Sequence, residues 1–205
     1  MAIVSYFRKS DLFVTFICNS KWLKITKELL PHQTPADRPD LTARVFHIKL
    51  QELLRDLCDK HLLGKVIAYV YLIEFQKRGL PHAHILLILT PEDKLRSADD
   101  YDKIVSAEIP DPAIYPLAYE TVATTIMHGP CGVLNPSAPY MKDGVCQKHY
   151  PKSFQENTQE SNGYPIYRRW DTGQFVETRS GTRIDNRWVV PYNIQLVINT
   201  IPILM

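Results

Sequence analysis

Apolar residues gather into a few runs of distinct period. Leu12-Phe13-Val14-Thr15-Phe16-Ile17 is short, β-branched and aromatic, while 66–75 and 82–89 are longer and nearly continuous. Between them, from Leu41 onward, Phe46, Leu50, Leu53, Leu54 and Leu57 recur at helical spacing. The pattern predicts a strand, then an amphipathic helix with Asp40 as N-cap and Gly64 just past its end, then a β-hairpin turning through 76–81. Such apolar hairpin strands are expected to lie centrally, covered on most of both faces. Glu74, His82 and His84 are the polar exceptions within them.

The rest of the chain is less regular. Pro31, Pro35 and Pro39 predict a connection without regular structure. An acidic, loosely helical segment follows over 92–106, and a helix is expected over 117–127, ended by Gly129. A second hairpin is expected from 164–170 and 174–178 around Asp171-Thr172-Gly173, and a last strand over 187–192. With 205 residues, 45% hydrophobic and 22% charged, the chain suits one ordinary domain, with or without an appended module. Its apolar runs fall far short of the roughly 20 residues that span a bilayer, and the N-terminus lacks a cleavage site, so an intracellular protein with no membrane partner is expected. Four cysteines then read as free thiols or metal ligands. A net charge of +2 does not by itself indicate nucleic acid.

The candidate chemistry sits in Lys77-Arg78-Gly79-Leu80-Pro81-His82-Ala83-His84. Residues i and i+2 of a strand share a face, so His82 and His84 point the same way. Glu74 lies eight positions before His82, and a tight hairpin near Arg78 sets the two opposite each other. Two imidazoles and a carboxylate, with open positions left, suit Mn²⁺ or Mg²⁺, with Gln76 the alternative oxygen ligand. Unsatisfied imidazoles in an apolar strand would cost about 1–3 kcal/mol each, which a metal would offset. A second candidate site, for Zn²⁺, is His128-x-x-Cys131 with Cys146-x-x-His149; the alternative is two buried cysteines and two surface histidines. Lys77, Arg78, Arg168, Arg169, Trp170, Arg179, Arg183, Arg187 and Trp188 interleave cations with aromatics, as surfaces for single-stranded DNA do.

Taken with Phe13-Val14-Thr15-Phe16, with 127–132 (Met-His-Gly-Pro-Cys-Gly) and with 148–154 (Lys-His-Tyr-Pro-Lys-Ser-Phe), the His82-Ala83-His84 core resembles the His-hydrophobic-His rolling-circle Rep nucleases, in particular the Helitron-like transposase N-terminal domain. The resemblance runs from Asp11 to Asn193. It implies an α+β fold, a central antiparallel sheet with flanking helices as in relaxases, plus an irregular loop-rich C-terminal segment. The implied division is a nuclease core over 11–127, an extension with the zinc knuckle and hairpin over 128–193, and an aberrant tail over 194–205. The implied reaction is attack of a tyrosine from a Tyr-x-x-x-Tyr helix on a phosphate of single-stranded DNA, in the nucleus. No tyrosine follows Tyr192, so a truncated transposase domain unable to nick is expected, with Tyr69 and Tyr71 serving as core aromatics. The alternatives are a non-catalytic single-stranded DNA and zinc-binding module, or a transposon remnant without function. The family pattern carries a cysteine at the place of Tyr140 and does not require His149. Without a Gly-x-x-x-x-Gly-Lys-[Ser/Thr] loop, the helicase of full-length elements and its ATP hydrolysis are not expected in this chain.

Overall fold

A computed structural model of the chain describes residues 10–76, 79–161, 164–178, 180–200 and 203–204. The fold is α+β and divides into two compact units, one over 1–95 with 199–205, the other over 96–198.

The first unit is built on an antiparallel sheet. Its strands are β1 (Leu12–Ile17), β2 (Val66–Phe75) and β3 (Pro81–Leu89), joined at one edge by the short strand Ile203–Leu204 beside β1. The helix α1 (Pro39–Cys58) connects β1 to β2. It starts one residue before the predicted cap: Pro39 takes the first turn, where its missing N–H costs nothing, and Asp40 pairs with the Arg38 guanidinium at 2.8 Å. The predicted stripe is the buried one, since Phe46, Leu50, Leu53, Leu54 and Leu57 are all in the core and Phe46 stacks on Phe16 of β1 at 5.0 Å. The proline-rich connection does hold one regular turn, the 3₁₀ helix Pro35–Asp37, where the Asp37 carboxylate accepts from both the Thr34 N–H and its hydroxyl at 2.7 Å.

Alternation along the strands divides the sheet into two faces. Leu12, Val14 and Phe16 of β1 and Ala83, Ile85 and Leu87 of β3 turn toward the core and are almost wholly buried. The opposite face carries Phe13, Thr15 and Ile17 of β1 with His82, His84 and Leu86 of β3, in the register Thr15↔His84 and Ile17↔His82. One expectation fails here: β3 is central, but β2 is an edge strand, with Ile67, Leu72 and Phe75 exposed. Tyr69 and Tyr71 are accordingly not core aromatics; they stack on each other, partly exposed, on the side away from the histidines. Between α1 and β2 the chain needs a glycine: Gly64 has φ +106°, and a Cβ there would meet the Asp93 Cβ at 3.1 Å. The Asp93 carboxylate accepts the neighbouring Lys65 N–H at 2.7 Å, which holds that approach.

The second unit is mostly irregular. Its helices are α2 (Ala98–Ile104), capped by Ser97 with Asp100, and α3 (Pro116–Thr121), which runs into a π-helical turn, Val122–Ile126, in place of one continuous helix. The expected 164–178 hairpin does not form. Gln159–Ser161 pairs instead with Tyr164–Ile166, and Val176–Glu177 with Arg183–Ile184. The expected last strand is a 3₁₀ turn, Asn186–Trp188, followed by single bridges at Val189 and Tyr192. Buried polar side chains replace ladder bonds here. Asn186 accepts from the Ile109 N–H at 2.7 Å and donates to the Trp170 carbonyl at 2.8 Å, and the Tyr192 hydroxyl donates to the Glu108 carbonyl at 2.9 Å. The tail residues Ile194–Thr200 are helical. Among the described residues no helix is long and apolar enough to cross a membrane.

The stacked Phe16–Phe46 contact couples helix to sheet. Phe46→Ala should therefore lower stability by about 3–5 kcal/mol, read as a shifted midpoint in urea unfolding followed by far-ultraviolet circular dichroism.

Candidate metal centre

The two imidazoles sit side by side on the sheet face that α1 does not cover, and β3 itself places them there by its two-residue period. Glu74 is the cross-strand partner of His82, as the eight-residue spacing predicts. Its carboxylate, however, reaches diagonally to His84, with Oε2 3.4 Å from Nε2. On the other side of His84, Nδ1 lies 3.3 Å from the Thr15 hydroxyl and the ring stacks on Phe13 with centroids 5.6 Å apart. His82 Nδ1 lies 3.4 Å from the Gln76 side-chain amide. At His82 it is the Gln76 amide nitrogen that lies at this distance and donates to Nδ1, and at His84 the Thr15 hydroxyl engages Nδ1, so both rings are oriented through their Nδ1 atoms. Burial lowers the His82 pKa, its neighbour His84 lowers it further, and Glu74 opposes both. Gln76 thus touches the His82 ring at Nδ1.

A second group lies in the other unit. His128 Nε2, Cys131 Sγ and Cys146 Sγ all fall within 4.8 Å of one another, and all three residues are buried. The loop that holds them is narrow. Met141–Lys142 pairs with Val145–Cys146, and His128 is clamped by a ring stack on Tyr150 at 4.2 Å. Burial raises the Cys146 pKa, but backbone N–H groups of Tyr150, Lys148 and His149 and the Cys131 thiol outweigh it and bring it below the usual thiol value. Cys131 is pushed up to about 11 by burial and by the Cys146 thiol beside it. This set of soft donors can hold a metal ion. The predicted fourth ligand is not among them: His149 is exposed, with φ +54°, and only its backbone N–H turns inward, to the Cys146 carbonyl at 2.8 Å.

The predicted DNA-binding residues separate by burial. Lys77, Arg78 and Arg179 lie outside the described residues. Arg169 is 4% exposed and its guanidinium donates to the carbonyls of Ala107, Asn186 and Val189, while Trp188 is likewise buried, so both serve the core of the second unit and offer nothing to a strand. Arg168 and Trp170 remain at the surface, the guanidinium 4.3 Å from the indole centre and also paired with Glu108 at 3.2 Å. Arg187 is held by Asp185 at 2.6 Å and lies over Phe154, and Arg183 lies over Phe175.

Sequence reasoning passed over two features. Thr15 and Gln76 gain their places behind the imidazoles only through strand register, which alternation hints at for Thr15 but cannot fix. The spacing Tyr-x-x-x-Tyr also occurs once, at Tyr115 and Tyr119, where Tyr115 precedes α3 and is 43% exposed.

Residues 1–87 match the family model described as the Helitron helicase-like domain at the N-terminus. The matched stretch is under half of the chain but contains Thr15, Glu74, His82 and His84, and it is consistent with placement among the His-hydrophobic-His nucleases. No curated protein matches the chain.

In the metal-free protein, the His82 ring should titrate with a midpoint below 6.5, measured from its imidazole proton shifts by NMR. Because the unfolded chain takes up that proton first, the stability tied to neutral His82 is complete above about pH 6.5 and is lost as pH falls through the lower folded value.

Proposed function

We propose, taking residues 1–87 as a Helitron helicase-like N-terminal domain, that this chain is the Rep-type part of a Helitron transposase and engages single-stranded DNA through a divalent ion on its open sheet face. His82, His84 and Glu74 would hold the ion, a hard one of the Mn²⁺ or Mg²⁺ class. Bound there, it would polarise a phosphate oxygen of the strand. The observation that carries this reading is the pair of engaged Nδ1 atoms, with Thr15 behind His84 and Gln76 behind His82. Polar groups placed there orient imidazoles for an ion and have little other use on an open sheet face.

The chain's own residues do the rest. Thr15 and the Phe13 ring fix the plane of His84, and the Gln76 amide fixes that of His82. Phe13 and Leu72, 50% and 66% exposed, flank the imidazoles with apolar surface on which bases can stack. The same reading gives the His128, Cys131 and Cys146 group a softer ion of the Zn²⁺ class and places the protein with transposon DNA in the nucleus.

Fluorescence anisotropy of a labelled single-stranded oligonucleotide tests this, with and without Mn²⁺. Binding should strengthen with Mn²⁺, and His82→Ala or His84→Ala should abolish that increment. Thr15→Val, which keeps the side-chain shape but removes the hydroxyl, should weaken Mn²⁺ affinity about 10–100-fold. Binding that ignores both Mn²⁺ and the two histidine substitutions would refute the assignment.

A further inference from the structure

We infer, resting on the Zn²⁺-class assignment to His128, Cys131 and Cys146, that the chain supplies only three ligands there and that the fourth position belongs to an exchangeable small anion from solution, hydroxide at rest and an external thiolate by exchange. The donor set is two sulfurs and one nitrogen, and among the described residues no further histidine, cysteine or carboxylate joins the three within 4.8 Å. A zinc-class ion takes four ligands in its structural sites and keeps a solvent position where the protein gives three.

The other side chains around the group are committed elsewhere. Tyr150 lies face-on against His128, with its hydroxyl directed to the Val189 carbonyl at 3.5 Å. The Met141 sulfur accepts the Gly132 N–H at 3.1 Å. His149 is exposed, and its left-handed backbone ties its N–H to the Cys146 carbonyl. Bringing its ring inward would break the turn that directs backbone N–H groups at the Cys146 sulfur.

Charge and access favour an anion in the remaining place. Two thiolates neutralise a divalent ion, their protons passing to solvent on binding. The ammonium groups of Lys148 and Lys152 act on His128, and they lie over the rings of Tyr140 and Tyr150. A negative fourth ligand is therefore attracted by two cations. The three ligands are buried, but the glycines beside them have open space: a Cβ built on Gly129 or Gly132 meets nothing within 4 Å, and the Tyr140 ring, tilted against His128 at 5.5 Å, is half exposed. In the exchange, an incoming thiol passes its proton to the departing hydroxide, which leaves as water while the new sulfur takes the position.

Cobalt(II) in place of zinc reads this directly in the full chain. Sulfur-to-cobalt charge transfer reports the number of thiolates, and a sheet site of nitrogen and oxygen donors adds nothing to that band. Adding 2-mercaptoethanol to the cobalt-loaded protein should raise the band about 1.5-fold, three sulfurs replacing two, and shift the visible d–d bands. Cys146→Ser should remove at least half of the original band, and His149→Ala should leave metal affinity and the thiol response unchanged. A spectrum unmoved by the thiol, or a loss of cobalt affinity in His149→Ala, would mean a closed four-ligand site and overturn the inference. Absence of any charge-transfer band would overturn the zinc-class assignment itself.

Discussion

The two-residue period of one central strand is the constraint on which the first unit depends. Ala83, Ile85 and Leu87 must face α1 to close the core, and that requirement sends His82 and His84 to the other face together. A register slip by one residue would bury two imidazoles against Phe46 and Leu50 and expose the core of the strand, so hydrophobic burial holds the paired imidazoles in place. The neighbouring strands then set partners around them from the same register, β1 with Thr15 and β2 with Glu74, and Gln76 follows just past β2.

The chain separates two kinds of ligand chemistry by two kinds of architecture. On the sheet, the imidazole nitrogens and the Glu74 carboxylate sit partly exposed. In the second unit the sulfur donors are buried in a loop with little secondary structure, held by backbone N–H groups and by aromatic rings around His128. That unit relies on polar side chains where strands would otherwise supply hydrogen bonds. Arg169 is its extreme case, a buried guanidinium that donates to three carbonyls from two segments, at the cost of desolvation that pulls its pKa down.

Much of the first unit was legible because period and burial coincide there: the α1 stripe, the β2–β3 hairpin and the pairing of Glu74 with His82 all follow from alternation and spacing. The edge position of β2 was not legible, since an apolar run reads the same at the middle and at the border of a sheet. In the second unit, Arg168, Arg169, Trp170, Arg187 and Trp188 form one pattern in sequence but separate in space, with Arg169 drawn into the core by carbonyls that no local rule locates and Trp188 buried against the His128 ring. Cys146-x-x-His149 shows the same limit: the spacing is that of a ligand pair, yet the backbone turn at His149 spends its N–H on the loop and leaves the ring outside.

Electron spin-echo spectroscopy of Mn²⁺ added to the full chain tests the sheet site most directly, because nitrogen couplings to the manganese count the imidazoles bound. Two inequivalent imidazole nitrogens, reduced to one in His84→Gln, are the predicted result. A spectrum with water and carboxylate oxygens alone would contradict the paired-imidazole centre.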